Sequence, residues 1–162
     1  MTCRTVHVLA VTLALAAFPS ARAFAQAAVE VVGLDGKATK VALEGMNRHV
    51  VTADDHGAAV TFEGVLAGDV LAKAGVELGE KLHGPTAFAR FVRVTARDGY
   101  TVVFAIAELD PAVSDTAVII ADRRDGKRLD DKAGPLQIVS PYEKRQARWV
   151  RQLARLEVVE AK

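Results

Sequence analysis

The stretch FARFVRVTARDGYTVVFAIA, residues 88–107, decides the fold. Two runs rich in Val, Thr and Phe flank Asp98-Gly99, and both prefer the pleated, half-covered surface of a sheet. Glycine enters the positive-φ region that a tight hairpin turn requires, and a preceding Asp favours the turn. The stretch therefore predicts two antiparallel strands, 88–96 and 100–107. Arg90 and Arg93 lie three apart on the first strand and so point to opposite faces; at most one can serve a given site.

Working outward, three further turn signals punctuate the chain: Asp35-Gly36, Asp54-Asp55-His56-Gly57 and Asp125-Gly126. They separate expected strands at 28–33 and 39–44, and at 49–53 and 58–64. Further strands are expected at 116–121, 135–140 and 153–160. Alternation is imperfect in several, as it is where both faces of a strand are covered. VLAGDVLAKAGV (65–76) reads as a helix, with Leu66, Val70 and Leu71 on one face and Gly75 as its stop. A shorter helix or turn is expected at 107–111, ended by Pro111, and a surface loop at 78–86. The pattern is α+β, a mixed β-sheet body with few helices.

The first 25 residues read differently. MTCRTVH is basic, VLAVTLALAAF is apolar, and PSARAFA offers small residues at the spacing that a signal peptidase reads. The apolar run falls short of the roughly 20 residues of a spanning helix. A cleaved Sec-type signal is expected at 1–25, with cleavage after Ala25, or nearby after Ala23 or Ala27. One domain follows at 26–162, with no membrane span after cleavage and a periplasmic or secreted location. Cleavage would remove Arg4, Arg22 and no acid, so the formal charge of +1 would become −1. That balance argues against nucleic acid and anionic membranes as partners. Cys3 is the only cysteine; because it precedes the apolar run, it argues against a lipoprotein anchor. Its removal would leave no disulfide, thiolate nucleophile or thiolate metal ligand.

Several pieces, read in order, carry a family resemblance. They are FEGVLAGDVLAKAGV (62–76), VTARDGYTVVFAIAELD (94–110), AVIIADRRDGKRLDDKAGPLQIVSP (117–141) and RWVRQLARLEV (148–158). Together they resemble the molybdopterin-binding domain of the sulfite-oxidase family, over about residues 28–160. The resemblance implies a sulfite-oxidase-like fold, oxidoreductase ancestry and a place for a pterin cofactor. Two departures stand out. Larger members hold molybdenum through a cysteine in a segment like Cys-x-Gly-Asn-Arg-Arg. Here the nearest stretch is EGMNRH (44–49), with Glu44 at the cysteine position, and the same residues also read as a plain linker to a hairpin. The family's usual arginine after Pro-Leu is replaced by Gln137. Cysteine-ligated molybdenum is therefore not expected, since a carboxylate is a harder ligand with different metal preference. A pterin or other small anion needs only cations and backbone N–H groups.

The residues expected to line such a place are Arg48, Tyr100, Arg148 and Trp149; no catalytic residue is assigned. Lys144, Arg145, Arg148 and Trp149 form an anion clamp on one reading. On the other they are a solvated basic segment whose indole plugs the core. Asp98-Gly99-Tyr100 is first of all a turn. A weaker reading pairs His49 and His56 across a hairpin as metal ligands, although no ligand spacing supports it. His83 is expected in an exposed loop, and Ser114 and Ser140 lack the His-acid neighbours of a hydrolase. The alternative to a cofactor-binding domain is a non-catalytic periplasmic module that binds a protein partner.

Overall fold

The computed structural model describes residues 27–161; the expected signal segment lies outside them. In chain order the elements are β1 (Ala28–Val32), β2 (Ala38–Ala42), β3 (His49–Asp55), β4 (Ala58–Leu66), α1 (Ala67–Lys73), β5 (Arg90–Ala96) and β6 (Thr101–Ala105). Then come α2 (Ile106–Leu109), β7 (Ile119–Arg124), β8 (Lys127–Arg128), β9 (Gln137–Val139) and β10 (Leu153–Glu160). Short 3-10 turns occupy Gly79–Lys81, Ala87–Ala89 and Gln146–Arg148.

The strands form two sheets. The first runs β2-β1-β10-β5-β6, and the second runs β3-β4-β7-β8 with β9 also on β7. The turn signals close the antiparallel pairs β1–β2, β3–β4, β5–β6 and β7–β8. β1 and β10 pair in parallel, Val31 opposite Leu156. A parallel pair needs a long crossover, and nearly the whole described chain serves as one.

Both faces of the second sheet are covered. Val65, Ile120 and Ile138 join the main core, with Val29, Val92, Leu71 and Leu156. Phe62, Ile119, Ala121 and Val139 form a smaller cluster with Trp149. This explains the imperfect alternation of these strands. Arg90 is largely covered beside Glu77 and Glu160, while the exposed Arg93 bonds Glu157 across the β5–β10 ladder.

Two glycines set how closely the elements pack. A Cβ on Gly64 would lie 2.1 Å from the Ile120 carbonyl oxygen, and one on Gly68 2.2 Å from that of Leu109. β4 therefore meets β7, and α1 meets α2, at separations only glycine permits. α1 starts later than expected, because Val65 and Leu66 are held in the ladder to β7. Gly75, at φ +91°, does end it, turning the chain so that Val76 N–H donates to Leu71 O at 3.0 Å. β7 begins at Ile119 and extends to Arg124, later than expected, and the short β8 was not foreseen. His49 opens β3 and His56 follows its last residue. An extended strand of that length separates them by roughly 20 Å, so they cannot share a metal ion.

Replacing Gly64 by Ala should lower unfolding free energy by about 1–3 kcal/mol, the usual cost of forcing atoms into a filled site. Urea denaturation of the variant beside wild type measures it.

Candidate functional site

Trp149 is buried, at 6% exposure. Its ring meets Phe62 edge-on, with centroids 5.4 Å apart, and its Nε1–H donates to Ser140 O at 2.9 Å. The turn just before it reaches both sheets. Gln146 Nε2 donates to Asp54 O at 3.1 Å and to Asp55 Oδ1 at 2.7 Å, at the end of β3. Tyr100 donates its hydroxyl to Ala147 O at 2.6 Å from the start of β6. Arg148 donates to Val103 O at 3.2 Å and to Glu108, and pairs with Glu143 at 2.5 Å. Its guanidinium also covers the Phe104 ring, 4.3 Å from the centroid. Burial works against the charge of Arg148, but bonds to Glu108 and Glu143 outweigh it and raise the pKa further. This half-buried arginine thus has partners within the fold for its guanidinium.

Two cavities share Arg128, Leu129 and Asp130 in their walls, and the smaller lies beside the turn. The larger, about 1030 Å³, is lined by Glu44, Gly45, Met46, Arg48, Arg97 and Gly134 among others. Arg48 Nη2 pairs there with Asp122 Oδ1 at 2.5 Å. Arg97 makes no side-chain hydrogen bond or ion pair with the described residues. The smaller, about 390 Å³, is lined by Phe62, Arg124, Lys127, Lys132, Gln137 and Trp149 among others.

Of the four residues expected to line a ligand site, three meet at one turn: Tyr100, Arg148 and Trp149. Trp149 faces the smaller cavity and Arg48 the larger, whereas Tyr100 and Arg148 line neither. Lys144 and Arg145 are exposed. Arg97 and Arg128 escaped the sequence reading because each flanks an Asp-Gly turn, where a charge reads as decoration. Gln137 was noticed only as a departure, and it proves to be a buried wall residue.

The donor chemistry divides the cofactor that the resemblance implies. Residues 27–161 contain no cysteine, and no three His, Asp or Glu side chains among the described residues are grouped to hold a metal ion. The metal part does not fit. Arg48, Arg97 and Arg128 are cations of the kind a phosphate end needs, and the carboxylates of Glu44, Asp122, Asp130 and Asp131 line the same cavity.

A family model described as the oxidoreductase molybdopterin binding domain matches residues 25–162. Among solved structures, the sulfane dehydrogenase SoxCD of Paracoccus pantotrophus matches with a TM-score of 0.63 at 18% identity. The match covers 83% of this chain and 38% of that one, so the chain spans well under half of that protein. No curated protein matches in sequence.

Asp55 supplies a pH test of the turn. Its carboxylate lies just under the surface, at 12% exposure. Burial opposes its charge, but bonds from Gln146 and Arg124 outweigh that, with smaller help from the charges of Arg124 and His56. The pKa is held below the ordinary 3.8. A depressed carboxyl pKa stabilises the fold above the unfolded value, and this is lost as pH falls through the folded one. Asp55→Asn should therefore be less stable than wild type at neutral pH, the gap closing below about pH 4. Melting temperatures of both proteins across pH 2–7 measure it.

Proposed function

The chain belongs to the oxidoreductase molybdopterin-binding domain family, and on that premise we propose that it is an exported protein binding a pterin phosphate or another small anion without cysteine-ligated molybdenum. The observation that carries this reading is the cavity of about 1030 Å³ walled by Arg48, Arg97 and Arg128. Small-molecule sites run to roughly 300–1,000 Å³, so it has room for a pterin with its phosphate. Arg97 is uncommitted, and Arg48 can exchange Asp122 for a phosphate oxygen without leaving the wall. Charge-assisted bonds of this kind are worth about 1.5–3 kcal/mol each. Export rests on the basic, apolar and small-residue pattern of residues 1–25.

A second reading, a non-catalytic module binding a periplasmic protein, is favoured by a different observation. Arg148 spends its guanidinium on Glu108, Glu143 and Val103 O, and Tyr100 its hydroxyl on Ala147. Two of the residues expected at a ligand thus serve the fold instead.

Purification from a host that makes the pterin cofactor, followed by mass spectrometry and metal analysis, tests the first reading. A pterin or phosphate compound should accompany the protein with little molybdenum. Arg48→Ala and Arg97→Ala should each reduce retention about tenfold. Stoichiometric molybdenum would overturn the thiolate-free assignment, whereas a folded protein with no bound compound would leave the interaction module. N-terminal sequencing of the periplasmic fraction tests cleavage near Ala25.

A further inference from the structure

The smaller cavity has two features that the cofactor reading does not use. Gln137 is 4% exposed, yet its amide makes no hydrogen bond with the described residues, and it lines this cavity. The amide reaches the cavity without a protein partner, so a ligand there can take its hydrogen bonds in place of solvent. The position follows from β9: Gln137 stands opposite Ala121 in the ladder to β7.

The second feature is positive charge on two walls. One wall is the β7–β8 hairpin, which contributes Arg124 and Lys127. The other is the turn at 130–133, which contributes Lys132 and is tied to Arg151 through its neighbour Gln152. Gln152 N–H donates to Ala133 O at 2.8 Å, and its amide donates to Asp131 O at 2.8 Å. Arg124 is occupied by Asp55 at 2.6 Å. Lys127, Lys132 and Arg151 make no side-chain ion pair with the described residues.

The acids around the cavity are already engaged. Asp55 holds Arg124. Asp125 accepts from Thr61 N–H and its hydroxyl. Asp130 accepts from the N–H groups of Lys132 and Ala133 at 3.1 and 2.9 Å. The lining carries the five cations Arg124, Lys127, Arg128, Lys132 and Arg151 against the three carboxylates Asp55, Asp125 and Asp130, so its formal charge is positive.

We propose that this cavity binds a small dicarboxylate, one carboxylate on each cationic wall and the Gln137 amide hydrogen-bonded between them. At about 390 Å³ the space exceeds what a single phosphate or sulfate fills, and a second carboxylate uses the cations that one such ion leaves. A neutral amide offers both a donor and an acceptor, so it accepts a carboxylate oxygen or a hydroxyl on the linking carbons. The inference does not rest on the cofactor reading, because it uses neither Arg48 nor Arg97.

Calorimetric titration of the full chain at low ionic strength tests it. Succinate and malate should bind, with butyrate and inorganic phosphate at least about tenfold weaker, since each lacks the second carboxylate. Amide ¹⁵N–¹H shifts on adding succinate should centre on Lys127, Lys132, Gln137 and Arg151. Gln137→Leu, close in volume, should weaken succinate about tenfold. Lys132→Ala, at an exposed position, should do so without touching the core. Arg48→Ala should leave succinate binding unchanged, which separates this site from the larger cavity. No heat and no shifts at millimolar succinate overturn the proposal. So does phosphate binding as tightly as succinate, or affinity unaltered in both Gln137→Leu and Lys132→Ala.

Discussion

The burial of one indole organises the part of the molecule where the smaller cavity opens. Removing a tryptophan's 150–250 Å² from water is worth roughly 4–6 kcal/mol, against about 0.5–1.5 kcal/mol for an ordinary hydrogen bond. Trp149 is therefore the anchor, and the polar contacts of Gln146, Ala147 and Arg148 follow where it places them. Those contacts have a separate effect. They join the end of β3 in one sheet to the start of β6 in the other, which no strand pairing does. Hydrophobic burial supplies the energy and the hydrogen bonds supply the register.

Much of the fold was legible in the sequence because its turns announce themselves. Each Asp-Gly pair sits where a hairpin closes, and β10 spans the residues expected of it. Boundaries failed where a tertiary contact overrode local preference. Val65 and Leu66 carry a helical pattern, but the β4–β7 ladder claims them first. β8 is two residues long, Lys127 and Arg128, and no periodicity can be read from two positions. The site was less legible. Arg48 and Trp149 line cavities, whereas Tyr100 and Arg148 spend their polar groups on partners within the protein and line neither. A sequence shows which residue is cationic but not which carboxylate will reach it first.

In the proposed reading, metal chemistry and phosphate recognition rest on different atoms. A thiolate is one side chain at one position, lost in a single substitution. A cationic wall is assembled from separated segments, here Arg48 before β3, Arg97 at the β5–β6 turn and Arg128 in β8. Gln137 extends the contrast, since it replaces a charge with a neutral amide at a buried position whose backbone is fixed by the β7–β9 ladder.

Trp149 is the only tryptophan in the chain. It lines the smaller cavity, with the Phe62 ring edge-on to it and the Arg124 guanidinium 5.6 Å from the centre of that ring. Its excited-state emission therefore reports on one place alone. The protein carries a built-in fluorescent reporter there, with no second indole to dilute the signal.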